Sequence, residues 1–407
     1  MRVCVLGAGI VGLATAYELN RSGHDVTVID RAMPGSGASG GNGSQLSYSY
    51  VQPLADPGIW AQLPKLLLSP SSPLKIRPKL DVHQWRWGLQ FLAACNAATS
   101  RSTTVALLKL AFESRQGFDA MLFKENLAVD FSGTGKLVLF STAHSFAAAQ
   151  KQMLLQREMG SVQEAVNAQR CVEIEPALAS YQRNITGAIY TPSECAADCQ
   201  KTCDGLLALL SQRGVRFMLD TPLEQILTRQ GSITAVRTPQ GDVEADRYVM
   251  ALGAASAPVA RQIGVDLPIY PLKGYSITVD VNEQPGCAPH SAPFVSVTDS
   301  ARKVVFARIG SRLRVAGMAE LAGYDRHVAP RQIESLKAST QALFPDCSQF
   351  AELHPWAGLR PATPTGLPLI GRHHQGPINM LFNVGHGALG FTLAFGSAAR
   401  VAALLEK

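Results

Sequence analysis

The chain has 407 residues, 46% of them hydrophobic and 17% charged. That composition excludes a disordered or coiled-coil protein, and the length suits two domains or one large interleaved pair. The net charge of +6 is spread thinly with no dense Lys/Arg run, which argues against nucleic acid as a partner.

Residues 2–6, "RVCVL", are a short apolar run rich in β-branched residues and read as a buried parallel strand. "GAGIVG" follows, with Gly7, Gly9 and Gly12 in G-x-G-x-x-G register and Ala8, Ile10 and Val11 between them. The first Gly allows a tight turn, the second lets backbone N–H groups approach a pyrophosphate, and the third lets a helix pack close on the strand. The glycines also break the N-terminal apolar stretch, which has no cleavage site after it, so a cytosolic location is expected. Leu13, Ala16, Tyr17 and Leu19 form an inward helical stripe, and Gly23 is the stop. "DVTVID" is a second strand ending in Asp30, with Arg31 beside it. A carboxylate there accepts from ribose hydroxyls and argues against a 2′-phosphate. NAD and FAD both remain.

The next stretch, "RAMPGSGASGGNGSQLSYSY" (31–50), is too rich in Gly and Ser for a stable helix. It is a surface linker or a cofactor wrap, and its place directly after the ribose-binding strand favours the wrap. Ser39, Asn42, Gly43, Ser44, Gln45 and Leu46 are its candidate contacts. Residues 70–98 mix Lys75, Arg77, Lys79 and Arg86 with Trp85, Trp87 and Phe91. They suit an interfacial helix on a membrane, or a helix packing its Trp residues inward. No apolar run in the sequence reaches the roughly 18–20 residues of a spanning helix. "QRCVEIEPALA" and "CQKTCDGLLALLSQRG" read as helices. The eight Cys include no C-x-x-C pair, and Cys195, Cys199 and Cys203 read as small apolar residues on one buried face, so no metal is expected. "ITGAIYTP" and "RKVVFARIGSRLRVAGMAE" fit strands, the second with a hairpin at "IGSR".

The strand–helix–strand unit with "ASGGNGSQL" resembles the FAD-dependent D-amino-acid oxidoreductase family, the glycine oxidase and sarcosine oxidase group. So do "GVRFMLDTPLEQI" (214–226), "DRYVMALGAAS" (246–256), "WAGLRPATPTGLPLIG" (356–371) and "NVGHGALGFTLAFGSA" (383–398). "IYPLKGYSITV" and "RLRVAGMAE" are similar to its dehydrogenase branch. The resemblance implies an α/β fold: a Rossmann-like FAD-binding domain assembled from discontinuous segments 1–50, 196–265 and 355–407. An α+β substrate domain with a mostly antiparallel sheet would take 51–195 and 266–354. It places Pro222 and Leu223 at the adenine end of FAD and Ala251, Leu252 and Gly253 beside the cofactor. Gly385, Gly387, Ala388, Leu389, Gly390 and Thr392 would open the last helix toward the flavin, where N–H groups stabilise negative charge. Some relatives attach FAD through a C-terminal Cys; none follows Cys347 here, so FAD is expected to be non-covalent.

Oxidising an amino acid requires its Cα–H within about 3–3.5 Å of the flavin, correctly aimed. The substrate carboxylate is the handle, and a planar guanidinium matches its two oxygens. Arg360 in "GLRPAT" is the candidate, a role the resemblance also implies. Tyr275, Tyr48 and Tyr50 are candidates to close over the substrate, and His386 is a positioning or electrostatic group, with Lys273 and Arg308 in reserve. The implied reaction is hydride transfer from a D-amino acid to FAD, giving a 2-oxo acid and ammonia. A quinone or respiratory-chain acceptor would take the electrons, with peripheral contact at the inner face of the plasma membrane. An oxygen-using oxidase of glycine, sarcosine or D-proline type and a flavin-bearing electron-transfer subunit inactive alone are the rival readings.

Overall fold

The computed structural model describes residues 1–51, 53–60, 74–157, 160–282 and 291–406. The chain opens with β1 (Arg2–Leu6), α1 (Ile10–Arg21) and β2 (Asp25–Ile29), then β3 (Gln45–Leu46) and β4 (Leu74–Ile76). α2 (Val82–Ala94) and α3 (Ala97–Glu125) lead to β5 (Lys136–Phe140), α4 (Ala143–Arg157), β6 (Glu164–Val166), α5 (Ala168–Ile174) and β7 (Gly187–Thr191). β8 (Cys195–Ala196), α6 (Cys199–Gln212) and β9 (Arg216–Met218) come next. The meander of β10 (Gln225–Arg229), β11 (Ser232–Thr238) and β12 (Gly241–Val243) precedes β13 (Arg247–Met250) and α7 (Ser256–Arg261). β14 (Tyr270–Asp280), β15 (Ser296–Asp299), β16 (Val304–Ile309), β17 (Arg312–Leu321), α8 (Pro330–Leu343) and β18 (Leu353–Ala362) follow, and β19 (Leu369–Gly371), β20 (Met380–Val384) and α9 (Gly390–Leu405) finish the chain.

Two large sheets result. The first has the order β19-β20-β13-β1-β2-β9, parallel apart from its edge strand β19. Val3, Cys4, Val5 and Leu6 are all buried because helices or the meander cover both faces. α1 and α3 both pack on α9, with Phe118 edge-on to Phe391 and Phe395 at 5.7 and 5.4 Å. α9 is apolar enough to cross a membrane by composition, yet it is mostly buried as a core helix between α1 and α3. Cys195, Cys199 and Cys203 all lie in the same core, although Cys195 is on β8 and only Cys199 and Cys203 share α6.

The second sheet runs β18-β14-β17-β16-β15-β5-β7-β6, with β4 beside β17. It is antiparallel except at β15–β5 and β4–β17. Side chains alternate between its faces. Tyr275, Ile277, Val279 and Val315 share a core with Ile333, Leu336 and Leu343 of α8. The opposite face turns toward the Gly-rich segment: Ser276 Oγ donates to the Gly41 carbonyl at 2.7 Å, and Val305 and Ala316 stand against Gly43. β18 crosses the boundary drawn at 355, because 355–362 pair along β14 before the chain returns to the first sheet.

The tightest packing is at the motif. A Cβ on Gly12 would run into the Gly7 carbonyl, which is backbone and cannot yield cheaply. Gly12→Ala is expected to lose about 1–3 kcal/mol in urea unfolding, as overpacked sites do. A variant as stable as the parent would contradict this packing.

Candidate functional site

At the end of β1 the chain turns sharply. Gly7 takes φ +113, and a Cβ there would lie 2.5 Å from the Ala251 carbonyl oxygen. Gly7 N–H donates to Ile29 O and Ala251 N–H to Leu6 O, both at 2.8 Å, so Ala251, Leu252 and Gly253 stand beside the motif. The Gly-rich segment folds back onto it: Gly35 N–H donates to Ala8 O, and Ile10 N–H at the start of α1 donates to Ser39 Oγ, both at 3.0 Å. Asp30 accepts from Ala8 N–H at 2.6 Å and Ala32 N–H at 3.1 Å. Burial raises its pKa, and those N–H groups oppose the rise. Thr221 N–H donates to Asp30 O at 2.9 Å, which brings Pro222 and Leu223 to the same end; Arg31 is exposed.

At the other end Asn42 Oδ1 accepts from Ser44 N–H at 2.8 Å, and Ser44 takes φ +56. Gln45 donates to the Val297 and Phe306 carbonyls at 3.2 and 3.0 Å, and Leu46 is sealed in the first core. These two side chains, expected at the cofactor, tie the segment to its neighbours and leave only their backbone for a ligand. Ser47 N–H donates to Thr392 Oγ1 at 3.2 Å, fixing the segment to the first turn of α9. A bridge between Ala362 and His386 joins the end of β18 to the Gly385–Gly390 turn.

Arg360 lies on the face of the second sheet that turns toward the Gly-rich segment. Its guanidinium spans Gly274, and Nη1 donates to the Met318 carbonyl at 2.8 Å. Desolvation lowers its pKa to about 10, and among the described residues no carboxylate pairs with it. His386 is buried, its Nε2 has no partner among the described residues, and burial lowers its pKa to about 3. Burial thus favours its neutral imidazole.

The three tyrosines depart from expectation. Tyr275 is one residue out of phase with Gly274, so it faces α8, where its hydroxyl donates to Glu320 Oε2 at 2.9 Å. Tyr48 is packed in the first core with Arg115 5.1 Å from its ring centroid. Tyr50 packs on Val138, Phe140 and Ile189, with Lys136 Nζ 4.6 Å from its centroid. Of the reserve candidates, Lys273 pairs with Asp325 at 3.0 Å and Arg308 lies over Phe294. Two unexpected residues join the site. Trp356 lies across Gly41 and Gly358, on the same strand face as Arg360. Its signal was the i, i+2, i+4 spacing of "WAGLR" within a strand. Lys136, fully desolvated with a pKa near 8, donates to Ser47 Oγ at 2.7 Å; no local motif marks it.

These groups fit an FAD. The glycine turn and the N-terminus of α1 suit a pyrophosphate, and Asp30 suits a ribose. His386 Nε2, without a partner among the described residues, and the Arg360 guanidinium, without an acid there, lie at the opposite end.

The comparisons agree. The family model described as FAD dependent oxidoreductase matches residues 2–404. "D-amino acid dehydrogenase 2" of Ralstonia nicotianae is 45% identical over 415 residues, covering 100% of this chain and 97% of that protein. Its namesake in Pseudomonas aeruginosa is 42% identical over 399 residues, covering 97% and 92%. Among solved structures, the glycine oxidase of Bacillus cereus superposes with a TM-score of 0.74 at 19% identity, covering 100% and 94%. The L-proline dehydrogenase of P. horikoshii gives 0.76 at 18%, covering 99% and 92%. The chain belongs to the FAD dependent oxidoreductase family.

The depressed His386 pKa has a sign in stability. Between its ordinary 6.5 and about 3, the unfolded chain takes up a proton that the folded chain refuses, so stability is lost as pH falls through that window. His386→Gln is expected to flatten the acid side of the stability profile by up to about 1.4 kcal/mol per pH unit. Superimposable profiles would show that the imidazole titrates normally.

Proposed function

We propose that this flavoenzyme oxidises D-amino acids to 2-oxo acids and ammonia, with Arg360 as the carboxylate clamp. The observation that carries the reading is a desolvated guanidinium without an acid, beside the motifs that hold the cofactor. An unpaired buried charge is costly, and a substrate carboxylate removes that cost. The relatives named D-amino acid dehydrogenase, similar along the whole chain, support the choice of substrate.

Each residue then has a defined task. Arg360 holds the carboxylate in its fork, and the Met318 carbonyl steadies Nη1 so that less side-chain freedom is lost on binding. His386, kept neutral, offers Nε2 as a hydrogen-bonding partner without adding charge. The N–H groups of Gly387, Ala388 and Gly390 at the start of α9 stabilise negative charge developing nearby. Trp356 walls the pocket beside Gly358 and excludes water. When bound, FAD supplies the two-electron acceptor for the Cα hydrogen. A substrate amine that arrives neutral needs no strong base, and the imino acid released is hydrolysed by water.

The electrons go on to a quinone or another respiratory-chain acceptor at the inner face of the plasma membrane, with α2 as the docking element. Residues 70–73 of the stretch read as interfacial lie outside the described residues. In the remainder the two tryptophans divide. Trp87 turns inward, stacks on Phe91 at 5.3 Å and donates to the Ala362 carbonyl at 2.8 Å. Val82, Trp85 and Leu89 form the outer stripe at 72%, 56% and 69% exposure, continued by Leu80. Lys79 adjoins it, its carbonyl accepting from Trp85 Nε1 at 3.0 Å, while Arg77 and Arg86 pair with Glu320 and Asp266. A basic-flanked apolar stripe with Trp suits an anionic lipid surface.

Two outcomes follow. With a dye acceptor and a panel of D- and L-amino acids, Arg360→Ala should raise KM for the D-substrates by roughly 100-fold or more while the protein stays yellow; unchanged kinetics would remove the clamp. In vesicle co-sedimentation, Trp85→Ser with Leu89→Ser should weaken binding to anionic vesicles by at least about tenfold. Equal sedimentation of variant and parent would remove the docking stripe.

A further inference from the structure

A partly open cavity lies on the same sheet face as Arg360, displaced along the strands past Gly41. Its volume is about 240 Å³, and Ser276, Thr278, Arg312, Arg314, His354 and Trp356 line it; Arg360 does not. Its floor is set by register, because Thr278 stands opposite Arg314 on β17 and His354 on β18, and Ser276 stands opposite Trp356. The roof is the backbone at Gly40 and Gly41.

Arg314 is the unusual lining residue. It is only 6% exposed. Its Nη1 donates to the Gly40 and Asn42 carbonyls at 3.1 and 2.9 Å, and among the described residues its Nε has no partner. No carboxylate forms an ion pair with it there. Asp198, the nearest acid to act on it, is taken by Arg312 at 2.8 Å and by the N–H groups of Gln200 and Lys201 at the start of α6. Asp130 is likewise taken by Lys201 at 2.8 Å and stands 3.6 Å from Arg312. The cluster therefore has three cations to two carboxylates, and the surplus charge sits on the most buried cation.

We propose that this cavity is a second anion site, which binds a small planar carboxylate. The ligand carboxylate accepts from Arg314 and from the Thr278 hydroxyl, and its flat body lies against the Trp356 indole. The volume is below the roughly 300–1,000 Å³ of pockets for drug-sized ligands, which restricts the occupant to a small acid. The oxyanion requirement comes from Arg314, and the planarity from Trp356. A 2-oxo acid meets both; that it is the enzyme's own product rests on the proposed reaction, whereas the anion site does not. Trp356 is shared, since its ring covers Gly41 at the cavity and Gly358 on the way to Arg360. Occupancy of the two sites is therefore coupled, and the coupling is reciprocal.

Calorimetric titration of the FAD-loaded protein with pyruvate, and separately with inorganic phosphate, tests this. Pyruvate binding should persist in Arg360→Ala, weaken at least fivefold in Thr278→Val and vanish in Arg314→Gln. Arg314→Gln also removes the bonds to Gly40 and Asn42, so Thr278→Val, which touches neither carbonyl, is the parallel variant. Binding lost in Arg360→Ala and unchanged in Thr278→Val would mean a single site at Arg360 and would overturn the proposal. Phosphate binding as tightly as pyruvate would overturn the planar-carboxylate assignment. If the enzyme oxidises no D-amino acid but pyruvate binding still depends on Thr278, the anion site stands and only its link to a product falls.

Discussion

The structure depends on how one segment without regular structure of its own, the Gly-rich run from Gly35 to Ser47, is held between two sheets. Backbone that forms no helix and almost no strand must find its hydrogen bonds elsewhere. The first layer supplies them through Ala8 and Thr392 and the second through Ser276 and Arg314, while the Ser39 and Gln45 side chains add bonds to Ile10 and to the Val297 and Phe306 carbonyls. Small residues let both layers approach within contact of the segment. The same bonds that satisfy it fix the distance between the glycine turn and Arg360. Cofactor wrap and inter-sheet clamp are therefore one object.

Charge follows from that arrangement. Where two layers close over a polar segment, Arg360, Lys136 and Arg314 are left in poor solvent with no ion pair among the described residues, although Glu194 and Asp198 act on Lys136 and Arg314 from further away. Arg360 and Lys136 are both held below their ordinary pKa values by desolvation, to about 10 and about 8. Arg314 is lowered for the same reason. Each has a neutral oxygen partner from the chain: the Met318 carbonyl, the Ser47 hydroxyl, or the Gly40 and Asn42 carbonyls. Such partners orient a cation but do not neutralise it. That combination disfavours the empty protein and favours one holding an anion, so the marginal stability of these groups and their capacity to bind have a common origin.

Local signals in the sequence were reliable where the chemistry is local. The glycine turn, Asp30 after β2 and the discontinuous return to the first sheet all come from short stretches whose residue types have one economical arrangement. Arg360 is proposed as the clamp from its motif and from its desolvated guanidinium. The tyrosines were not legible, because their roles depend on phase and on distant partners. A shift of one position along β14 exchanges the pocket face for the α8 face and sends Tyr275 to Glu320. Tyr48 and Tyr50 meet Arg115 and Lys136, which lie far away in sequence. The stretch around α2 was ambiguous for a similar reason. Trp85 and Trp87 are two residues apart, which on a helix places them on different faces, so neither the inward nor the interfacial reading held for both.

One strand carries the consequences furthest. β18 presents Trp356, Gly358 and Arg360 in succession on one face and then reaches the bridge from Ala362 to His386. A strand paired along ten positions with β14 cannot move one of these residues alone. Any displacement that re-aims the indole must be absorbed at Gly358, which has no side chain to resist it, or passed on to the guanidinium and the turn that opens α9. Trp356, Gly358 and Arg360 are thus mounted on one rigid element, and His386 is joined to its end by that bridge. That geometry makes the carboxylate's position relative to the flavin end a property of a single strand rather than of several loops, which is the precision that oriented transfer requires.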